Sequence, residues 1–355
     1  MVGGPPMANR VGDYYYYSGA VHIHTTESDG TRSLEEVVAI GQKAGLDFMM
    51  FTDHMGLKNR DAGKEGLYDK TLVVIGYEHN DLDENHHYMI FDSPGVYPQS
   101  MNAAELVAAV ADDDALGIIA HPDERRPHGR RHRPYPWIDW SVEGFNGVEL
   151  WNQMSEWMEQ LTRWNKLAMA FSPRKSMVGP TEWLLGKWDE LNRRRKIVGV
   201  FAVDAHAFGI RIGPFAVEIF PYKVHFRCLR THIILFEPLS DDFHIARRQL
   251  YVALRDCRVF GSNMRWGVAD KFEFVASNGT ETATCGGRLS SAENARLFVK
   301  VPSRATIRLI ADGKTVLRTD SDELEYVIQK PGIYRVEAWK GKRGWIFSNH
   351  IRIAV

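Results

Sequence analysis

Histidines and carboxylates recur at short spacings along the first two-thirds of the chain. The earliest are His22 and His24, at the end of an apolar run at 20–23, and strand alternation predicts that both imidazoles point to one side. Further residues of these types stand at or just after later apolar runs: Asp29, Asp53, His54, Glu78, His86, His87, His121, Glu149, Asp204 and His206. Imidazole nitrogen and carboxylate oxygen together suit borderline and hard divalent cations. Charged groups at buried strand ends cost stability unless they are paired or metal-bound, so this recurrence predicts a metal centre.

Short apolar runs would bring these residues together. They are rich in β-branched and aromatic residues and mostly do not alternate, which is typical of parallel strands covered on both faces. The runs lie at 20–23, 48–52, 72–76, 117–120, 147–150, 197–203 and 231–236. Between them, Ser33 with Glu36 and Asn102 with Glu105 form capping boxes that start helices. The repetition predicts an α/β barrel over residues 14–260, with its site at the carboxyl ends of the strands; an open doubly wound sheet is the alternative.

The pattern changes after about residue 260. Apolar and polar residues now alternate with period two in short segments, at 271–276, 295–301, 306–310, 324–328, 332–340 and 345–353. Turn pairs such as Asp312-Gly313 and Pro331-Gly332 separate them. This spacing predicts a small antiparallel β-sandwich over residues 264–355.

The composition excludes several classes of protein. The charges nearly cancel, with 44 Lys and Arg against 45 Asp and Glu, so the net charge gives no reason to expect binding to long nucleic acid. The 3 cysteines form no C-x-x-C pair, which argues against a disulfide framework and a thiolate zinc site. No apolar run reaches the roughly 20 residues that span a bilayer, and residues 1–10 lack the apolar segment of a secretion signal. We therefore expect a cytoplasmic protein without a membrane partner. The sequence does not indicate its oligomeric state.

Several of these segments together resemble one known family. They are GAVHIHTTESDG at 19–30, Thr52-Asp53-His54, Glu78, His121-Pro122 and Asp204-Ala205-His206. In this order, over about residues 20–240, they resemble the PHP (polymerase and histidinol phosphatase) family of metal-dependent hydrolases, in the group with a C-terminal β domain. The resemblance implies a distorted seven-stranded βα barrel that binds two to three divalent ions, Zn, Mn or Fe.

The resemblance also implies a set of metal ligands. Position by position they are His22, His24, Asp29, His54, Glu78, His87, His121, Asp204 and His206. His87 is chosen because it directly precedes the apolar segment 88–91, and His86 is the alternative. The family pattern makes Glu78 a bridge between two metals. Asp53 and Glu149 are expected beside the ligands, with Asp53 orienting a ligand imidazole.

A complete ligand set favours catalysis, and the expected reaction is hydrolysis by a hydroxide that bridges two metals. We predict a phosphoesterase for small-molecule or nucleotide-like esters, with phosphodiesters preferred over monoesters. Asp204 and His206 would lie near the reacting oxygens. Arg125 or Arg126, in the basic segment 124–134, would compensate phosphate charge, although such a segment is equally typical of a solvated loop.

Two alternatives remain. The same metals could attack a carbamate, amide or carboxylic ester, and an apolar pocket lined by tryptophans and methionines, with the arginines facing away, would favour that chemistry. The chain could also be a non-catalytic, metal-stabilised interaction module, which the intact ligand set argues against.

Overall fold

The computed structural model describes residues 9–11, 13–83, 85–126, 133–212 and 215–354. Its strands are β1 (Asn9–Val11), β2 (Tyr14–Ile23), β3 (Phe48–His54), β4 (Gly66–Tyr68), β5 (Thr71–Asn80), β6 (His87–Phe91), β7 (Leu116–Ile119), β8 (Gly147–Asn152), β9 (Val198–Ala205), β10 (Phe208–Ile212), β11 (Phe215–Ile219), β12 (Leu229–Leu235), β13 (Val259–Asn263), β14 (Glu273–Ser277), β15 (Thr282–Ala283), β16 (Arg288–Leu289), β17 (Arg296–Ala311), β18 (Lys314–Val327), β19 (Gly332–Lys340), β20 (Arg343–Ser348) and β21 (Ile351–Ile353). Its helices are α1 (Leu34–Lys43), α2 (Lys58–Asp61), α3 (Ala103–Asp112), α4 (Gln153–Glu159), α5 (Lys166–Phe171), α6 (Glu182–Arg194), α7 (Tyr222–His225) and α8 (Phe243–Arg255). None of the helices in these ranges is long and apolar enough to cross a membrane.

Seven strands close into the expected barrel, with further strands bonded outside it. The ring runs β2-β3-β5-β6-β7-β8-β9 and returns to β2. The capping boxes predicted for α1 and α3 are present. The buried strands carry almost continuous apolar runs, as in β3, β5 and β9, because both of their faces are covered.

One member of the ring differs from the sequence prediction. The run at 231–236 was expected to be a barrel strand, but β12 pairs with β2 outside the closed ring. Its place is taken by β6, which is antiparallel to both β5 and β7. Residues 81–86 alone join β5 to β6, and so short a connection permits an antiparallel return but no crossover helix.

By internal contacts the chain divides into two compact units. The first unit contains Gly19–Met177 and Phe201–Arg230. The second unit contains Val178–Val200, Thr231–Val355 and the described residues between 9 and 18. This division assigns α6 to the second unit, whereas the boundaries drawn from the sequence, 14–260 and 264–355, assign it to the barrel. Those boundaries stay a proposal.

The second unit holds the β domain expected at the C-terminal end, which is antiparallel apart from the short parallel pair of β16 and β21. Asp312 and Gly313 form the predicted turn, both with positive φ, between β17 and β18. The segments at 295–301 and 306–310, expected as separate strands, form the single long strand β17, with a register irregularity between Lys300 and Ala305. A large apolar cluster that includes Phe274, Leu309 and Trp345 forms its core.

A buried ionic network joins α6 to this β domain inside the second unit. The Arg335 guanidinium donates to both carboxylate oxygens of Asp189, at 2.7 and 2.9 Å, and to Glu337 at 2.7 Å. The His350 Nε2 lies 2.7 Å from Asp189 Oδ1. All four side chains are buried. Because each charge is paired, the network holds α6 in register with β19 without an isolated buried ion.

Candidate metal centre

The first strand brings its two histidines together through a bulge. Val21 pairs with Met50 and Ile23 with the next residue, Phe51, so the ladder passes over His22. His22 has a φ of 69°, a left-handed conformation that is uncommon outside glycine. The rings of His22 and His24 lie 5.0 Å apart. Their common direction therefore depends on this bulge and not on the plain alternation expected from the sequence.

The nine predicted ligands fall into three groups whose ligand atoms lie within 4.8 Å of one another. The groups are His24, Asp29, His54 and His206; His22, His24 and Asp204; and Glu78, His87 and His121. His24 belongs to two of them. The structure thus brings together every residue that the family pattern implied as a ligand.

Glu78 is in contact with all three groups. Its Oε1 lies 2.8 Å from His87 Nδ1 and 3.0 Å from His121 Nε2. Its Oε2 lies 3.0 Å from His22 Nε2 and 3.4 Å from His54 Nδ1. A carboxylate in this position can offer one oxygen to each of two cations, which is the bridging role that the resemblance implies.

The donor set fits divalent cations on two grounds. First, the buried nitrogens His24 Nε2, His54 Nδ1 and His87 Nε2 have no hydrogen-bond partner among the described residues. Buried polar atoms are normally paired, so these three indicate a missing partner that accepts a lone pair. Second, burial, reinforced by His206 and His54, lowers the pKa of His24 to about 3, which keeps this imidazole neutral and able to ligate.

The carboxylates supply the negative charge. Burial opposes ionisation of Glu78, but His22, His54 and His87 outweigh it and hold the pKa of that carboxyl well below its ordinary value. Conversely, burial would lower the pKa of His22, yet Asp204, Glu149 and Glu78 raise it well above its ordinary value. The electrostatics of the site therefore attract positive charge.

Backbone carbonyls accept from Nδ1 of two of the predicted ligand histidines. His121 Nδ1 donates to the carbonyl of Tyr135 at 3.2 Å, and His206 Nδ1 donates to the carbonyl of Asp204 at 3.1 Å. Burial opposes charge on these rings, but neighbouring carboxylates raise the pKa of both His121 and His206, so each Nε2 must release its proton before it offers the lone pair that a cation needs. In His121 that Nε2 faces Glu78.

Glu149 lies beside the ligands, as expected, and binds three neighbours. Its Oε1 lies 2.6 Å from His22 Nδ1, and its Oε2 accepts the backbone N–H of His121 at 2.6 Å. The same Oε2 accepts from Asn152 Nδ2 at 2.9 Å, and that amide also lies 3.2 Å from Asp204. Asn152 was not predicted, and its only sequence signal is its position at the end of β8.

Asp53 has a different partner from the one predicted. It was expected to orient a ligand imidazole, but its carboxylate accepts hydrogen bonds from the backbone N–H and the hydroxyl of Thr25 and of Ser28, at 2.7–3.2 Å. It thereby closes the turn that carries Asp29. Loop donors outcompete the imidazole because four of them converge on this one buried carboxylate.

The choice between His86 and His87 is addressed by β6. His87 begins that strand, stacks on Tyr135 with ring centroids 4.8 Å apart, and joins the Glu78 group. His86 lies against Trp137 at 5.0 Å and belongs to none of the three groups found in the described chain.

The two arginines of the basic segment are already paired. Arg125 is exposed and binds Asp123 at 2.6 Å, and it is not among the described residues that line the cavity beside the ligands. Arg126 does line that cavity, but its guanidinium binds Glu124. Residues 127–132 of the segment lie outside the described residues. Arg125 or Arg126 was predicted to compensate phosphate charge, and the sequence does not show that each binds the acid two residues before it in the chain.

The ligand groups open into a cavity of about 520 Å³. Asp29, His54, Glu78, His87, His121, Asp204 and His206 line it. Seven further residues complete the lining: Asn80, Arg126, Tyr135, Met154, Met158, Leu161 and Phe208. Sequence reasoning missed all of these except Arg126, because residue types that merely shape a cavity carry no motif.

Comparisons with known proteins give distant likenesses. No family model matches the chain, and no curated protein does. A two-domain protein from Bacteroides vulgatus, containing a predicted PHP-like metal-dependent phosphoesterase, is 10% identical over 98% of both chains, with a TM-score of 0.46. A candidate metal-dependent phosphoesterase from Bifidobacterium adolescentis is 14% identical over 57% of this chain and 92% of its own, with a TM-score of 0.30.

A third solved structure is an amidohydrolase from Chromobacterium violaceum with bound sulfate. It is 13% identical over 57% of this chain and 92% of its own, with a TM-score of 0.33. The PHP family that the sequence motifs resemble is also the one named for the first of these structures.

Proposed function

We propose that this protein is a metal-dependent hydrolase of phosphate esters, and that it prefers diesters to monoesters. One observation carries the proposal: nine ligand-type side chains at or beside strand ends, Glu78 among them, gather in three groups, and seven of the nine line one cavity. The substrates we propose are small-molecule or nucleotide-like esters, since the cavity is of the size that holds a small ligand.

The three groups would hold two to three divalent ions of Zn, Mn or Fe. Bound there, such ions would polarise an ester oxygen and lower the pKa of water so that hydrolysis proceeds near neutral pH. Asp204 and His206 belong to different groups and both line the cavity, so they are placed to position the ester against the ions. Glu149 and Asn152 hold His22 and Asp204 in that arrangement.

The charge of the cavity supports the preference for diesters. Arg126 is the only arginine or lysine among its described lining residues, and Glu124 neutralises it. A monoester carries two negative charges near neutral pH and needs more cationic contacts than a diester, which carries one. Beyond the metals, the cavity offers little such compensation.

The test is turnover by Mn²⁺- or Zn²⁺-loaded protein. We expect bis(p-nitrophenyl) phosphate to be cleaved faster than p-nitrophenyl phosphate. We expect Asp204→Asn to reduce the rate on the diester about 100-fold or more, because even residues that only support a metal ligand cost about 10–100-fold when they are changed. Asp61→Asn, an exposed aspartate on α2, is the matched control and should keep the wild-type rate. An equal rate in Asp204→Asn would contradict the assignment of this centre.

One observation favours a second candidate function, hydrolysis of a carbamate, amide or carboxylic ester. Met154, Met158 and Leu161 line the cavity while Arg125 lies away from it. This chemistry would be favoured if the metal-loaded protein does not hydrolyse phosphate esters but cleaves an aryl carbamate or a carboxylic ester, and if that cleavage is lost in Asp204→Asn. No turnover of any of these by metal-loaded protein would instead favour a non-catalytic module.

A further inference from the structure

One side of the cavity is formed by three apolar residues with helical spacing. Met154 and Met158 lie on α4 four residues apart, and Leu161 follows just beyond its end. Positions separated by three or four residues share a helix face, so these side chains form one surface, here called the methionine wall. Met154 is 2% exposed, whereas Met158 and Leu161 are half-buried.

The methionine wall is apolar in depth as well as at its surface. Met154 belongs to a buried cluster with Trp157, Met169 and Phe220, and Met158 and Leu161 pack against that cluster. The one indole donor in it is satisfied, since Trp157 Nε1 donates to the carbonyl of Met169 at 3.1 Å. A ligand that touches the wall therefore meets thioether and methyl groups.

Two aromatic rings continue this apolar lining to the ligand groups. Phe208 stacks on His206 with ring centroids 5.5 Å apart and an interplanar angle of 8°. Tyr135 stacks on His87 at 4.8 Å and 14°. Both rings also line the cavity. If an ester is bound at the ligand groups, a substituent that extends from it toward α4 would therefore lie along apolar surface.

We propose that the methionine wall is the subsite for an apolar aryl or alkyl group of the substrate, so that the preferred substrate is an ester with one apolar arm. This rests on the proposed function, because it presumes an ester bound at the ligand groups. Methionine has a flexible, polarisable side chain, which suits it to apolar groups of different shapes. A polar sugar would leave its hydroxyls unpaired against this wall, so the subsite narrows the proposed substrates from nucleotide-like esters to small-molecule esters with an apolar arm.

The first test is a series of p-nitrophenyl alkyl phosphate diesters with methyl, butyl and octyl arms. We expect kcat/KM to rise about tenfold or more from methyl to butyl, as buried methylenes leave water. Met158→Gln, which keeps the side-chain length, should lower kcat/KM for the butyl ester about tenfold through KM and change the methyl ester less than twofold. Met101→Gln, at a half-buried site elsewhere in the chain, is the matched control. Equal kcat/KM for methyl and octyl esters, or an equal loss for both in Met158→Gln, would overturn the proposal.

A second measurement needs no turnover and separates this proposal from the proposed function. We expect the neutral fluorophore N-phenyl-1-naphthylamine to bind the protein with or without metal, and Met158→Gln to weaken that binding about fivefold or more. Phe171→Ser controls for binding at the exposed apolar residues of α5, because Phe171 is 85% exposed. Binding that is lost in Phe171→Ser and kept in Met158→Gln would refute the subsite even if phosphate esters are hydrolysed.

Discussion

At the scale of single residues, the centre is organised around one carboxylate. Glu78 is almost fully buried and touches histidines from each of the three groups. Its negative charge is tolerated there because the surrounding imidazoles offset the cost of burial. Cations bound by the same residues would offset that cost more strongly, which is why we read the cluster as a metal site.

Glu149 is the residue that best separates positioning from ligation. Glu149→Gln keeps the shape of the side chain but replaces the anion facing His22 Nδ1 with a neutral group. We expect metal affinity to fall about 10–100-fold with the fold retained, because partners of ligand histidines have effects of this size. Metal titration and circular dichroism would measure both quantities.

Glu143→Gln, at an exposed position, is the control for that experiment. Unchanged metal affinity in Glu149→Gln would show that its bond to His22 is not needed for binding.

The site residues divide into those that sequence could predict and those it could not. The nine candidate ligands could be named because histidines and carboxylates at strand ends indicated a metal centre, and the resemblance to the PHP family then implied each position. Asn152 and Tyr135 were not, because each acts through one contact in space: an amide that joins Glu149 to Asp204, and a carbonyl that accepts from His121. Such residues are common in loops and at helix caps for unrelated reasons.

At the scale of elements, β6 determines which neighbouring histidine reaches the centre. His87 is the first residue of the strand and lies in the Glu78 group, whereas His86 precedes it and lies against Trp137. We expect His87→Ala to lose about one equivalent of bound metal and His86→Ala to lose none, as counted by elemental analysis after dialysis. Equal metal content in the two variants would contradict the assignment of His87.

The turn that carries Asp29 depends on Asp53. Asp53→Asn replaces one acceptor oxygen with an NH₂ group that must face donors of Thr25 or Ser28. We expect the free energy of unfolding to fall by about 1–3 kcal/mol, the range for a buried hydrogen-bonding group left unsatisfied. Denaturant titration measures this, with the exposed Asp112→Asn as control. A change below about 0.5 kcal/mol would mean that the turn holds without this carboxylate.

The sequence predicted most barrel strands but not their full arrangement. Buried parallel strands have a recognisable pattern, so β3, β5, β7, β8 and β9 coincide with predicted runs. The pattern does not show which strand pairs with which, and β6 and β12 are both buried along their whole length. The bulge at His22 was likewise invisible, because its cause lies in the ladders that β2 forms with β3 and β9.

At the scale of the whole molecule, the buried network of the second unit makes stability depend on pH. Burial lowers the pKa of His350 to about 4, although Asp189 opposes that shift. As the pH falls, the His350 imidazole is protonated near pH 6.5 in the unfolded chain but only near pH 4 in the folded chain. The contribution of His350 to the free energy of unfolding is therefore complete above pH 6.5. It falls by up to about 3 kcal/mol as the pH drops from 6.5 to 4.

The difference between wild type and His350→Gln isolates that contribution. Glutamine can keep a donor toward Asp189 but does not titrate, so the variant should show a flatter dependence of unfolding free energy between pH 6.5 and pH 4. Denaturant melts at several pH values would measure it. Parallel curves for the two proteins would contradict the role of His350.

The same network has a consequence for folding during translation, because its residues are synthesised at different times. Asp189 and Arg335 are 146 residues apart, and at about 5–20 residues per second a ribosome needs about 7–30 s to cover that distance. Throughout this interval α6 has been synthesised, but the guanidinium that neutralises its buried aspartate does not yet exist. The strands from β2 to β8 all precede α6, and β9, which closes the ring against β2, follows it directly. Translation speed between residues 200 and 335 therefore decides how long α6 waits without its partner, and slow codons there would lengthen the period in which it can misfold.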